Sequence, residues 1–171
     1  ARVNPLRHYK GMPSALMTAF STCSTIVTLP LTMKAVTENS RVSTKIANFV
    51  LPIGATVNMD GTALYECVAT IFIAQVYGFH LSLSAQMIIV LTALLASIGA
   101  ASVPMSGMVM MSIILKAVGL PLEGIAVILA VDRILDMFRT TINVLSDSCG
   151  AVIVARLEGE SLKGIGESVQ K

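Results

Sequence analysis

The sequence predicts an all-α membrane protein, and three observations carry that prediction. Hydrophobic residues make up 54% of the 171 positions and charged residues only 13%, with a mean hydropathy of +0.79, which is too apolar for an ordinary water-soluble domain. Residues 67–115 form a run of 49 positions without Asp, Glu, Lys or Arg, enough for two spans of roughly 20 residues each. Apolar positions recur at helical spacing throughout, with none of the sustained period-two alternation that a membrane barrel strand requires.

The elements follow in order along residues 1–157. The first is a helical hairpin over about residues 11–38: a half-length apolar helix ends in Ser21-Thr22-Cys23-Ser24-Thr25, and a second short helix follows, opened by Pro30 as a first-turn residue. The tip then falls at residues 24–28. A polar loop over residues 38–45 leads into a broken helix over about 46–77. Asn58-Met59-Asp60-Gly61-Thr62 interrupts its apolar pattern, and such groups at bilayer depth are costly without internal partners, so the break marks a site. A second hairpin over about 83–117 has a small-residue tip at residues 97–104. A polar helix over about 120–156 closes the core, and residues 158–171 form a soluble tail.

Two hairpins alternating with a broken and a polar helix suggest a duplicated unit in opposite orientations, the arrangement that places a transporter's binding site at the membrane midplane. The hairpins are read as re-entrant. On that reading Arg2, Arg7, Lys10, Lys34, Arg41, Lys45, Arg156, Lys163 and Lys171 share one side and only Lys116 the other. The basic side is cytoplasmic. The sequence starts at Ala1 in a polar stretch without a signal-peptide pattern and reads as a piece of a longer protein. Cys23, Cys67 and Cys149 lie in apolar surroundings without CxxC spacing and read as small buried side chains.

The last helix carries the chemistry. Asp132, Asp136, Arg139, Asn143 and Asp147 fall within an arc of about 80° on an α-helix. Asp132 to Asp147 extends roughly 22 Å along the axis, most of a hydrocarbon core, so the stripe cannot all reach an interface and must meet partners, ions or substrate. A guanidinium presents a planar fork to a carboxylate, and Asp136 can accept from an ammonium group. Those two signs, one turn apart, match the ends of an amino acid. Asp147, Asn143, Asn58 and Asp60 are hard oxygen donors of the kind that replace water around an alkali cation. The alternative is that the Asp and Arg side chains pair only to hold helices together, and for Asp132 a structural role is as reasonable as contact. Glu66 lies about 120° around the axis from Asp60; burial favours the neutral form of a carboxyl, so Glu66 could load and unload a proton, or remain a paired structural group.

Three stretches, Asn58-Met59-Asp60-Gly61-Thr62, residues 96–104 and Asp136-Met137-Phe138-Arg139-Thr140-Thr141-Ile142-Asn143-Val144, resemble the signatures of the dicarboxylate/amino acid:cation symporters, the glutamate transporter family, in order and over nearly the whole chain. The resemblance implies a homotrimer in a plasma membrane or bacterial inner membrane. Each protomer would move a transport domain, elevator-like, against a scaffold absent from this stretch. It implies that Arg139 binds a side-chain carboxylate, Asp136 the amino group and Asn143 the α-carboxylate, with polar contacts from Thr62, Thr140 and Thr25. Backbone at Val103 and Gly107 would gate the ligand. One sodium site would use backbone at Gly54, Asn58 and Asn143 with the Asp147 carboxylate. A second would use backbone at Thr56, Ser97, Ile98 and Ala100 with the Met59 sulfur, and a third Asn58 and Asp60. Glu66 resembles the glutamate of proton-coupled members, which adds a proton to the coupled ions.

The sequence departs from the family at the first hairpin. Cys23-Ser24-Thr25-Ile26-Val27-Thr28 replaces a serine run with a bulkier, more apolar tip, and Cys23 and Met137 stand where members commonly place a second arginine. The expected function is symport of glutamate or aspartate with sodium and a proton, in a lipid bilayer, with no organic cofactor and no nucleic-acid partner. A C4-dicarboxylate carrier of the same fold and a structural or channel-like membrane subunit are the alternatives. A dicarboxylate would leave Asp136 unmatched, and no nucleophile, base and orienter set marks an enzyme.

Overall fold

The computed structural model describes residues 3–99 and 106–162, and the described residues are helical with no strand. The helices are α1 (Pro5–Lys10), α2 (Pro13–Thr22), α3 (Thr25–Glu38), α4 (Thr44–Val57), α5 (Asp60–Val76), α6 (Leu83–Gly99), α7 (Ser106–Ala117), α8 (Ile125–Leu129) and α9 (Asp132–Leu157), with a 3-10 turn at Leu122–Gly124 before α8.

The first hairpin forms, but Pro30 does not open its second helix. Ser24 does: its backbone is extended and its hydroxyl accepts from the Val27 N–H at 3.2 Å, satisfying one of the donors a helix start leaves free. Pro30 therefore sits inside α3, and the connection shrinks to Cys23-Ser24, with Cys23 in the left-handed region at φ 53°. Ser43 caps α4 in the same way, accepting from the Ile46 N–H at 3.3 Å.

The break in the 46–77 segment is also shorter than the sequence pattern suggests. Only Asn58 and Met59 leave the helix, and Asp60, Gly61 and Thr62 already form the first turn of α5. An acidic residue is favoured there because free N–H groups and the helix dipole face it, and Asp60 Oδ1 accepts from the Gly61 N–H at 2.9 Å. The span expected over 120–156 is likewise divided: the 3-10 turn and α8 precede a bend at residues 130–131, so Asp132 opens α9.

The charge-free run 67–115 does not form two continuous spans of full length. It is shared among the end of α5, the 17-residue α6 and the 12-residue α7, with a turn at Tyr77-Gly78 where Gly78 takes φ 72°. Among the described residues no helix is long and apolar enough to cross a membrane by itself. The second hairpin's tip at 100–104, with Ala100 and Val103, and the tail beyond residue 162 lie outside the described residues.

Packing groups the buried apolar side chains of the described residues into two main hydrophobic clusters. One joins α2, α3, α4 and the second half of α9 through Met12, Ala19, Val36, Leu51, Val144 and Val152. The other joins α5, α7 and α8 through Tyr65, Ile73, Met111, Leu115 and Ile128, with a satellite of Ile89, Ala93 and Ile114 against α6. Each cluster contains one hairpin and one arm of the broken helix.

A buried polar link ties the amino-terminal turn to α9. His8, 3% exposed, bonds Ser40 Oγ through Nδ1 at 2.7 Å and Ser148 Oγ through Nε2 at 2.9 Å. Ser148 donates its own hydroxyl to the Leu145 carbonyl at 2.6 Å, so it must accept from His8. That assigns the proton of a neutral His8 to Nε2 and leaves Nδ1 to accept from Ser40. Burial lowers the His8 pKa from its ordinary value of 6.5.

Candidate functional site

The α4–α5 break lies against the middle of α9, where close helix contact depends on glycine. A Cβ at Gly61 would meet the Arg139 carbonyl and lie 2.9 Å from Asn143 Oδ1; one at Gly54 would lie 2.6 Å from Asp147 Oδ1. Two small residues therefore let α4 and α5 bring backbone up to the polar face of α9.

Asn143 is held on three sides. Its Oδ1 accepts from the Gly61 N–H at 2.8 Å, while its Nδ2 donates to Thr62 Oγ1 at 3.2 Å and to the Met59 sulfur at 3.4 Å. Thr62 also donates to that sulfur at 3.8 Å. Met59, from the unwound pair, thus faces the stripe with its sulfur as an acceptor. Asn143, Thr62 and Met59 are all buried.

Further along α9, four side chains form a hydrogen-bonded chain. Asn58 Nδ2 donates to Asp147 Oδ1 at 2.9 Å and to Ser146 Oγ at 2.8 Å, and Ser146 donates to Asp60 Oδ1 at 2.8 Å. Asp147 is 5% exposed. The group borders a cleft of about 430 Å³ walled by Phe49, Ile53, Val57 and Ile153. Two carboxylates bridged by an amide and a hydroxyl suit a monovalent cation: the oxygens are hard donors, and the spacing is adjustable because Asn58 sits in non-helical backbone. The residues that could hold such an ion are Asp147, Asn58, Asp60 and the backbone at Gly54.

Toward the amino end of α9 the charges are larger. Arg139 donates to Asp136 Oδ1 through Nε at 3.1 Å and Nη2 at 2.6 Å, and Thr140 Oγ1 donates to the same oxygen at 3.4 Å. The Arg139 guanidinium carbon sits 4.7 Å from the centre of the Tyr65 ring, and a Cβ at Gly107 on α7 would collide with Nη1. The guanidinium is held between α5 and α7, 12% exposed, with Asp136 at 24%. Tyr65 donates its hydroxyl to Asp132 Oδ1 at 2.6 Å, which gives Asp132 a positioning contact. Beyond Arg139 an apolar cleft of about 370 Å³ runs along Leu64, Val68, Phe72, Val131 and Phe138.

The structure brings together Arg139, Asp136, Thr140 and Gly107 as one group, Asn143, Thr62 and Met59 as a second, and Asn58, Asp60, Asp147 and Gly54 as a third. Thr25 is not in them: its hydroxyl donates to the Ala55 carbonyl at 3.0 Å, tying the first hairpin to α4. Thr56 donates to its own helix at Ile53, while buried Ser97 and half-exposed Ile98 lie in the last turn of α6, which touches α4. Glu66 is fully buried and lies on α5 six residues beyond Asp60, outside these three groups. Phe20 meets Phe138 edge to face at 5.3 Å, so the first hairpin approaches α9 beside Arg139 through Phe20.

Sequence reasoning missed Ser146 and Tyr65. Ser146 sits one turn after Asn143 and next to Asp147, so extending the stripe to its neighbours would have found it. Tyr65 carries no comparable signal, because an aromatic residue in an apolar helix reads as core.

The described residues form an all-α fold with a largely buried polar cluster along one face of α9. The chain belongs to the sodium:dicarboxylate symporter family, which it matches over residues 1–157. It is 51% identical over 162 residues to excitatory amino acid transporter 3 of Mus musculus, covering 95% of this chain and 31% of the relative. It is 52% identical over 162 residues to excitatory amino acid transporter 1 of Homo sapiens, covering 95% and 30%. Against an excitatory amino acid transporter of Caenorhabditis elegans the identity is 54% over 151 residues, covering 88% and 30%. The chain thus spans just under a third of the length of these curated relatives, which are transporters and not enzymes.

Proposed function

We propose that this chain is the substrate- and cation-binding core of a secondary symporter that moves an acidic amino acid, glutamate or aspartate, with sodium. The observation that carries the reading is the pairing of Arg139 with Asp136 one turn apart on α9, beside a separate cluster of oxygen donors around Asp147. An acidic amino acid has two carboxylates and one ammonium. It exchanges the internal Arg139–Asp136 pair for two intermolecular ones: a carboxylate on the Arg139 fork and an ammonium on Asp136. Asn143 and Thr140 receive the remaining polar groups, with Thr62 behind Asn143. Backbone at Gly107 and Val103 closes over the ligand, and Thr25 holds the first hairpin in place beside it.

Sodium enters at Asp147 with backbone at Gly54, Asn58 and Asn143. A second sodium uses the Met59 sulfur with backbone at Thr56, Ser97, Ile98 and Ala100, and a third uses Asn58 and Asp60. Sodium bound there fixes the unwound Asn58-Met59 pair, and that pair orients Asn143; cation and solute binding are coupled through the same residues. Glu66 carries a proton. The complete protein is a multi-pass homotrimer whose re-entrant hairpins frame this site and whose transport domain moves elevator-like through the bilayer.

A C4-dicarboxylate is the competing solute, and Asp136 decides against it, since a second carboxylate would face an unneutralised one. Uptake of radiolabelled glutamate, aspartate and succinate by the full-length protein in proteoliposomes tests the proposal. Sodium-dependent uptake of the amino acids supports it; uptake of succinate alone overturns it.

A further inference from the structure

Glu66 and Thr70 are both completely buried in α5, one turn apart. Among the described residues Glu66 Oε1, Glu66 Oε2 and Thr70 Oγ1 are the buried side-chain oxygens left without a hydrogen-bond partner. Orphaned oxygens in a protein interior are rare and costly, and three on adjacent turns of one helix call for an explanation.

Thr70 also lacks the local bond that many threonines of the described helices make. Seven helical threonines, from Thr18 to Thr141, donate their hydroxyl to the carbonyl four residues earlier. Thr70 does not bond the Glu66 carbonyl in this way, so its hydroxyl is free to serve another group. Positions four apart share a helix face, and the other buried side-chain oxygens without a partner among the described residues are those of the Glu66 carboxyl.

We infer that Thr70 is a positioning residue for the proton exchange at Glu66, its hydroxyl donating to the carboxylate when the proton has left and accepting from the carboxylic acid when the proton is bound. A hydroxyl is both donor and acceptor, whereas a carboxyl changes from donor to pure acceptor as it ionises. One rotating O–H therefore satisfies both states. The proton itself passes between Glu66 and the aqueous phase; Thr70 gains and loses none.

Among the described residues, few charged groups surround Glu66 and Thr70. Helix α6 has no charged residue, the only charge on α7 is exposed Lys116, and on α9 the charge that reaches Glu66 is Arg139. The adjacent Cys67 thiol feels Glu66 in turn. This inference rests on the reading of Glu66 as a proton carrier, and the experiment separates the two.

Glutamate uptake by the full-length protein in proteoliposomes is measured against external pH for the parent, Thr70→Val, Thr70→Ser, Glu66→Gln and the Thr70→Val/Glu66→Gln double variant. Bonds to an ionised group are the stronger ones, so Thr70→Val moves the midpoint of the pH profile to higher pH, by about 0.5 to 1 unit for one lost bond. Thr70→Ser restores the parent profile. Glu66→Gln flattens it, and Thr70→Val then changes nothing further. A Thr70→Val profile that superimposes on the parent while Glu66→Gln is flat overturns the role of Thr70 and leaves the proton reading standing. A Glu66→Gln profile like the parent's overturns both. Thr70→Ala takes the place of Thr70→Val in the same comparison if the valine variant does not fold.

Discussion

Replacing Gly54 with alanine tests the cation cluster through a single methyl group. The added Cβ would lie 2.6 Å from Asp147 Oδ1 and 2.9 Å from its Cγ, against an ordinary van der Waals separation of about 3.4 Å or more. The carboxylate must retreat by roughly 0.8 Å. Asp147 Oδ1 already accepts from Asn58 Nδ2 at 2.9 Å, so a shift of that size disturbs the bond. The tether between Asn58 and Asp147 is thereby weakened. A disturbed ligand shell costs about 10- to 100-fold in metal affinity. Equilibrium binding of glutamate to the full-length protein, titrated with sodium, reads this directly: Gly54→Ala raises the sodium concentration for half-maximal binding by that factor. Gly150→Ala is the control. Gly150 borders the same cleft, but a Cβ there has no neighbour within 4 Å, so its sodium dependence stays unchanged. A folded Gly54→Ala protein with the parent's sodium titration refutes the assignment of Asp147 to a cation site.

Other perturbations have equally direct readouts. Tyr65→Phe keeps the ring beneath Arg139 and loses only the bond to Asp132, so glutamate affinity falls by less than about tenfold, whereas Tyr65→Leu removes the cation–π contact of about 1–2 kcal/mol as well and falls by roughly 5- to 30-fold beyond that; equal affinities for the two variants contradict the packing of Arg139. Ser146→Ala cuts the bridge between Asn58 and Asp60 and weakens sodium coupling in the same titration, with little effect on glutamate affinity at saturating sodium. For His8 the sign follows from its lowered pKa: above the unfolded value of 6.5 both states are neutral and the group contributes nothing to pH dependence. As pH falls below 6.5 the unfolded chain takes up a proton that the folded one resists, and stability declines by at most about 1.4 kcal/mol per pH unit. Thermal unfolding between pH 7.5 and 5.5 shows that decline in the parent and a smaller one in His8→Gln.

Much of this architecture can be read from residue order because membrane helices announce themselves through composition and their sites through polar interruptions. The stripe from Asp132 to Asp147 and the Asn58-Met59-Asp60 break stand out against apolar neighbours, and both lie at the site. What composition does not reveal is how a polar side chain spends its bonds. Thr25 is expected to contact the solute, and its hydroxyl also donates to the Ala55 carbonyl. Pro30 reads as a helix start, yet the cap at Ser24 begins the helix six residues earlier in the chain. Tyr65 looks like core until the fold sets Arg139 over its ring. Thr70 is a small hydroxyl in an apolar helix, and only its lack of a partner sets it apart from other threonines, whereas Ser146 lies beside the stripe and becomes legible once the neighbours of Asp147 are read with it.

The central claim is that Arg139 and Asp136 recognise the two charges of an acidic amino acid and that sodium makes the recognition possible. Calorimetric titration of the full-length protein with glutamate, with and without sodium, is the most direct measurement, repeated on Arg139→Cys and Asp136→Asn. Binding is expected only with sodium, and falls by at least about 100-fold in each variant, since each removes a charge-assisted contact. Binding that persists in either variant, or that is equally tight without sodium, contradicts that claim.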